Sequence, residues 1–330
     1  MLKLSQGKKM MDENGFQRIL VAIDFSNHSE AAFLQAVWLA RTQGASIVLV
    51  HTLPDLRQVA HRASALAKLD LLQGEGEIFQ REVRQVTDAK MRQLIQKHRA
   101  EDLDIKVETL LGEPFVELIH AVQSEGYDLV LAGTRGMAGW QQFLLGSTAS
   151  RLIRKCPASV WVVKDEHIGP PKVVLTATDF SSVGWKAVKR GALIAKYAKA
   201  SMHLLHVIDE GDIPKSLFDS KSRQEIIDSV ERRLYDGLES SGVDRDDVTL
   251  HLSTGTPWQE VARLSKHLSV DLIAMGTVGR NGIPGLLLGN TAEKVLNTCD
   301  CSILAVKPDN FVSPIEPASW PLHPPNEGNA

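Results

Sequence analysis

The chain has 330 residues, comfortable for two ordinary domains and too many for one. Hydrophobic residues make up 43% and aromatic ones 5%, a balance that suits α/β cores built from Val, Ile, Leu and Ala. With 37 basic against 40 acidic side chains there is no basic excess to grip nucleic acid, and no apolar run reaches the roughly 18 residues that span a bilayer.

The opening MLKLSQGKKMMDENGF carries three lysines but no apolar core of signal-peptide length, so a cytoplasmic protein is expected. Met10 and Met11 lie just before the first predicted strand and are alternative starts. Periodicity then predicts a strand over Arg18–Asp24, a helix over Ser29–Gln43 with Ala32, Ala36, Leu39 and Ala40 on one face, and a strand over Ala45–His51. The segment Leu56–Gly74 is helix-compatible and is left unassigned. A long amphipathic helix follows at about Glu75–Arg99, then a strand at Ile105–Leu111. Helix Pro114–Ser124, strand Leu129–Ala132, helix Gly146–Arg154 and strand Ser159–Val163 complete the unit.

The unit then repeats. VAIDFS at Val21–Ser26 matches TATDFS at Thr176–Ser181, and LVHTLPD at Leu49–Asp55 matches LLHVIDE at Leu204–Glu210, both 155 residues on. Gly112, Asp128, Gly133, Gly146 and Cys156 match Gly255, Asp271, Gly276, Gly289 and Cys299 at 143, so the first half holds 155 minus 143, or 12, extra residues between His51 and Gly112. Strands alternating with helices imply a parallel sheet with helices on both faces. The expected division is a first domain at 16–165, a linker at 166–171 containing two prolines, a second domain at 172–309, and a proline-rich tail at 310–330 that Phe311, Trp320 and Leu322 could pin to the surface.

One glycine-spaced stretch occurs in both halves: GTRGMAGWQQFLLGST at Gly133–Thr148 and GTVGRNGIPGLLLGNT at Gly276–Thr291. Each follows an apolar strand and opens a helix. A phosphate cradle needs inward backbone N–H groups, glycines tolerant of positive φ, and room for oxygens close to the main chain, which glycines before a helix N-terminus offer; the competing reading is that these glycines are turn and cap residues only. Neither G-x-x-x-x-G-K-[ST] nor a G-x-G-x-x-G after the first strand is present, which argues against a phosphate-loop NTPase or a nicotinamide dehydrogenase. Asp24 and Asp179 end the first strand of each half, where a carboxylate can take ribose hydroxyls or a hydrated Mg²⁺, or simply cap a helix alongside Ser26 and Ser181. His51 and His206 read more readily as satisfied core residues than as catalysts. No Ser-His-Asp or Cys-His arrangement stands out, although one positioned carboxylate beside a bound nucleotide and metal suffices for slow hydrolysis. Cys299-Asp300-Cys301 is too tightly spaced for a zinc knuckle.

These doubled stretches, with RKCPASVWVVKD at Arg154–Asp165 and LGNTAEKV at Leu288–Val295, resemble the universal stress protein family in its tandem two-domain form. The resemblance implies two Rossmann-like (adenine nucleotide α-hydrolase-like) domains, each a five-stranded parallel sheet, that bind ATP, with Mg²⁺ as an accompanying ion, in a stress-response role. By position it assigns Asp24 and Gly133 to ribose, the Thr52 backbone to adenine, and Gly136, Gly146, Ser147 and Thr148 to phosphates. In the second half Asp179 and Gly276 take the ribose, the Val207 backbone the adenine, and Gly279, Gly289, Asn290 and Thr291 the phosphates. Asn290 departs from the family's hydroxyl residue, which ranks the second site below the first. The family also pairs last strands across a two-fold axis, so Ser159–Val163 and Ser302–Val306 are expected to pair as an internal pseudo-dimer. The alternative function is a nucleotide-independent interaction module that uses the long helices and the tail; a hydrolase or transferase would need a base or nucleophile that the sequence does not offer beside the loops.

Overall fold

The computed structural model describes residues 15–55, 75–134, 146–164, 169–209, 220–279 and 288–318. The first half runs β1 (Arg18–Ala22), α1 (Asn27–Gln43), β2 (Ser46–Leu53), α2 (Glu75–Lys97), β3 (Ile105–Leu111), α3 (Pro114–Glu125), β4 (Leu129–Gly133), α4 (Ser147–Lys155) and β5 (Ser159–Val163). The second runs β6 (Val173–Ala177), α5 (Ser182–Ala198), β7 (Ser201–Ile208), α6 (Ser220–Ser240), a 3₁₀ turn at Arg245–Asp247, β8 (Val248–Thr254), α7 (Pro257–His267), β9 (Leu272–Gly276), α8 (Asn290–Thr298) and β10 (Ser302–Val306). Equivalent strands β2 and β7 end at Leu53 and Ile208, 155 apart, while α2 and α6 end at Lys97 and Ser240, 143 apart. The twelve extra residues therefore fall between Leu53 and Lys97. Leu56–Gly74, Gly136, Trp320 and Leu322 lie outside the described residues.

Among the boundaries that differ from the periodicity, two share one local reason. The first strand stops at Ala22 rather than Asp24, because Phe25 takes a left-handed φ of 63° and the Asp24 carboxylate accepts from Ser26 N at 3.0 Å. Ser26 then caps α1 by accepting from Ser29 N, so the helix starts at Asn27, ahead of Ser29.

Among the described residues ten strands form one sheet, in the order β3-β2-β1-β4-β5-β10-β9-β6-β7-β8. Every neighbouring pair is parallel except β5 with β10, which run antiparallel with Ile303 opposite Val162, Leu304 opposite Trp161 and Ala305 opposite Val160. Each half thus contributes five parallel strands, and the two last strands, buried along their whole length, join the halves. One core, carrying α1, α2, α5 and α6, covers one face of the sheet across both halves; a second, carrying α3, α4, α7 and α8, covers the other.

Asp128 and Asp271 start the two central units alike. Asp128 accepts from Gln17 N and Arg18 N, and Asp271 from Lys172 N and Val173 N, tying β1 to β4 and β6 to β9 at their entry ends. Near the seam, Gln35 of α1 donates to Gly169 O of the linker, while Arg190 of α5 stacks over the Phe16 ring of the first half at 4.5 Å. Past the last strands, Lys164 Nζ donates to Leu296 O and to Cys299 O (2.7 Å), and Lys307 Nζ donates to Ile153 O and to Arg154 O (3.4 Å). The tail also crosses back. Asp309 pairs with Lys186, Phe311 lies under the Lys307 ammonium at 4.1 Å, and Gln123 of α3 donates to Ile315 O at 3.0 Å.

Burial pulls the Lys307 ammonium down to a pKa of about 8, and that of Lys164 down in the same direction. Below pH 8 the folded and unfolded chains both hold the Lys307 proton; between about 8 and the ordinary lysine value only the unfolded chain does, so its contribution to stability rises with pH in that window. Urea unfolding should therefore show the wild type gaining about 2 kcal/mol relative to Lys307→Met between pH 7.5 and 9.5; a flat difference would assign Lys307 an ordinary titration.

Candidate functional site

The carboxyl ends of the parallel strands form the edge at which open α/β sheets hold ligands. Here β1 and β6 leave the sheet earlier than their neighbours. Ile23 N donates to Val50 O at 2.8 Å, and Thr178 N donates to Leu205 O at 3.1 Å, as the last bonds on that side of β2 and β7. Strand alternation turns Thr52 and Val207, two residues on, to the same side, beyond the ends of β1 and β6. Their backbone N–H and C=O groups are thereby offered to the crevice, where a planar heterocycle with matching donors and acceptors could pair.

The turn out of each first strand is the same in both halves. Asp24 Oδ1 accepts from Ser26 N and from Ser26 Oγ (2.6 Å); Asp179 Oδ1 accepts from Ser181 N and from Ser181 Oγ (2.5 Å). The serines, not the aspartates, cap α1 and α5, with Ser181 accepting from Gly184 N at 3.0 Å. One oxygen of each aspartate is thus spent on the turn. The other oxygen of Asp179, Oδ2, faces the second-half glycine loop: a Cβ on Gly279 would stand 2.8 Å from it. Phe180 repeats the left-handed φ of Phe25 at 65°. Each phenylalanine stacks on its half's histidine, Phe25 on His51 at 5.0 Å and Phe180 on His206 at 4.2 Å. His51 Nδ1 lies 2.6 Å from Ile23 O and His206 Nδ1 2.8 Å from Thr178 O, which agrees with satisfied structural histidines.

The glycine stretches are closed at their bases by matching bonds, Gly146 N to Thr134 O at 2.7 Å and Gly289 N to Thr277 O at 2.8 Å. Of the two properties expected of these glycines, positive φ and room beside the main chain, the described ones show the second. Positive φ is absent from Gly133, Gly146, Gly276, Gly279 and Gly289; what they supply is room. A Cβ on Gly133 would lie 2.7 Å from the His28 and Ser29 backbone at the start of α1, and one on Gly146 would lie 2.6 Å from Thr134 O. Gly146 and Gly289 are the N-caps of α4 and α8 and place no side chain over the first-turn N–H groups. Those groups, on Ser147 and Thr148 and on Asn290 and Thr291, are unpaired within the helices and suit an anion.

In the second half these parts enclose a cavity of about 480 Å³. Asp179, Val207, Gly276, Gly279, Gly289, Asn290 and Thr291, the seven second-half residues singled out in the sequence, all line it. In the first half Asp24, Thr52, Gly133, Gly146, Ser147 and Thr148 take the equivalent places at strand ends and at the helix N-terminus, whereas Gly136 is outside the described residues. Sequence reasoning missed the apolar lining of Ala177, Leu205, Met275, Pro257 and Val261, and Asp209 beside it. It also missed the cation over each phenylalanine, Lys90 above Phe25 at 5.7 Å and Arg233 above Phe180 at 4.1 Å. Lys90 and Arg233 are 143 residues apart, so carrying the second repeat offset along α2 and α6 would have found that pair.

A model of the Universal stress protein family matches residues 15–164 and again residues 171–307. Universal stress protein E of Escherichia coli (strain K12) is 27% identical over 318 residues, covering 91% of this chain and 97% of that protein. The homolog in Haemophilus influenzae is 25% identical over 315 residues, or 89% of this chain and 98% of its own. Among solved structures, a putative universal stress protein from Pseudomonas aeruginosa UCBPP-PA14 superposes with a TM-score of 0.64 at 21% identity, over 90% of this chain and 95% of that one. A universal stress protein from Archaeoglobus fulgidus gives 0.58 at 21% identity, over 88% and 98%. At such identity the likeness concerns the fold, and it takes in both halves. Among the described residues no helix is long and apolar enough to cross a membrane.

The glycine geometry has a direct stability consequence. Gly133→Ala should cost about 1–3 kcal/mol in chemical denaturation, because its methyl meets backbone that cannot yield. Gly289→Ala, whose nearest atom is Thr277 O at 3.4 Å, should cost under about 1 kcal/mol. Equal losses would show that the two positions differ less in packing than their surroundings indicate.

Proposed function

The chain belongs to the universal stress protein family, and from that premise we propose that it is a cytosolic regulator of the stress response that binds adenine nucleotide, ATP foremost, in the crevice of each half. The observation that carries this reading is the second-half cavity, which brings a carboxylate, a free strand edge, a glycine loop and a helix N-terminus within one ligand-sized space. Asp179, and Asp24 in the first half, would accept from the ribose hydroxyls; the Val207 and Thr52 backbones would pair with the adenine edge. The phosphates would lie against the N-termini of α8 and α4, held by Gly279, Gly289, Asn290 and Thr291 and by Gly136, Gly146, Ser147 and Thr148. The Asn290 side chain is an amide donor where the first half has a hydroxyl, and it serves the same anion at a longer reach.

Mg²⁺ accompanying the nucleotide would sit chiefly on phosphate oxygens, since among the described residues no three His, Cys, Asp or Glu side chains converge as metal ligands. Binding is the primary activity in this reading. Hydrolysis, where it occurs, is slow, because no residue is assigned to activate the attacking water.

Calorimetry of the intact chain with ATP and Mg²⁺ tests the assignment. The wild type should bind, and an Asp24→Ala, Asp179→Ala double variant should lose roughly 10-fold or more, as expected for hydrogen bonds to a charged group of about 1.5–3 kcal/mol. Aspartate replacement is the cleaner probe, because bulk at Gly146 would strain the Thr134 turn as well as the site. A wild type that binds no nucleotide at millimolar concentration would favour the nucleotide-independent interaction module instead, and a double variant matching the wild type would overturn the residue assignment.

A further inference from the structure

Helices α1 and α3 end in the usual way, on left-handed Gly44 and Gly126, whose N–H groups return to carbonyls of the last turn. Helices α4 and α8 keep the return bond, from Cys156 N to Leu152 O and from Cys299 N to Val295 O, but lack the left-handed residue. Their C-caps are Cys156 and Cys299, in extended conformation with φ of −72° and −81°. Their last carbonyls are satisfied from the other half of the molecule: Lys307 reaches Ile153 and Arg154 at the end of α4, and Lys164 reaches Leu296 and Cys299 at the end of α8. Lys307 is 1% exposed, so this ammonium is a buried internal partner and not a surface decoration.

The other end of each of these helices is a candidate anion site, and the helices are short. Nine residues separate cap from cap, a rod of about 13 Å. A cation at the C-terminus and an anion at the N-terminus both favour the same helix dipole. The lysines are in turn tied to the loop of their own half: Thr134 N donates to Val163 O at 3.1 Å, next to Lys164, and Thr277 N donates to Val306 O at 3.0 Å, next to Lys307. Each glycine loop is therefore hydrogen-bonded to the residue before the lysine that holds the opposite half's anion-facing helix.

We propose that Lys164 is a positioning residue for the anion site of the second half and Lys307 for that of the first, so that the two sites are connected crosswise through α8 and α4. This rests on the nucleotide reading for the identity of the ligand and on the geometry alone for the crossed connection. A residue serving only the stability of its own half would act on its own loop; these two act on the other.

Amide hydrogen exchange of the full chain, read by NMR without ligand, separates these cases. Lys164→Met should accelerate exchange at Gly289 and Glu293, the amides that close the second loop and open α8, by roughly threefold or more, and leave Gly146 and Ser150 unchanged. Lys307→Met should do the reverse, and Lys164→Arg and Lys307→Arg should restore protection. Lys→Gln variants, which keep a donor without the charge, serve where the methionine variant does not fold. Acceleration confined to the mutated half, or uniform in both halves, overturns the proposal. With ATP as probe, Lys164→Met should weaken binding roughly threefold or more in an Asp24→Ala background and not in an Asp179→Ala background; binding that is unchanged in both also overturns it. If the wild type binds no ATP, the nucleotide reading falls and the exchange pattern alone decides the crossed connection.

Discussion

A parallel sheet that ends on a short, largely apolar strand has an edge that must be covered, because its open N–H and C=O groups would otherwise template association. Here each half ends that way, and the pairing of β5 with β10 closes both edges at once. Much of the rest depends on this single antiparallel contact. It merges two five-stranded sheets into one, lets each hydrophobic core run continuously across both halves, and sets Gln35 against Gly169 and Arg190 against Phe16, from equivalent places on α1 and α5. It also delivers Lys164 and Lys307 to helices they could not reach within their own half.

The functional edge follows from smaller constraints of the same kind. Because β1 and β6 turn away early, on Phe25 and Phe180, the Thr52 and Val207 backbones face the side of β2 and β7 that those strands have left. Two residues in left-handed φ without the licence of glycine are costly, on the order of 1 kcal/mol or more each. Both are held by a stacked histidine, a cation above the ring and an aspartate that closes the turn. The aspartate, phenylalanine, serine and histidine recur after 155 residues and the cation after 143, which indicates that the turn, and not only the aspartate, is what the repeat preserves.

Much of this could be read from the residues. Period-two and period-3.6 patterning placed β3 and β5 at their observed bounds, and the change of repeat offset from 155 to 143 placed an insertion now narrowed to Leu53–Lys97. Of the seven second-half residues that line one cavity, Asp179 and those of the glycine stretch were legible because strand ends and motif spacing are local properties, whereas Val207 came from the family resemblance. What escaped was long-range or steric. Nothing local says that Lys164 will leave its half for Leu296, that Gln123 will meet Ile315, or that Gly133 is glycine for the sake of the α1 backbone and not for a left-handed turn. Each depends on which surfaces meet after folding, and one sequence without its fold carries no record of that.

The register at the seam, with Trp161 facing Leu304, has an evolutionary consequence. A symmetric dimer of one short chain must put the same residue on both sides of its axis, so a bulky indole would confront another indole and a leucine another leucine. Tandem fusion lifts that restriction, and a large side chain can here be matched by a smaller one at equivalent places 143 residues apart. It also makes the pairing unimolecular, so the assembly survives dilution that would dissociate two separate copies. Freed from self-complementarity and from mass action, the two halves can drift apart in sequence, as Ser147 and Asn290 have done, without either losing the partner on which its last strand depends.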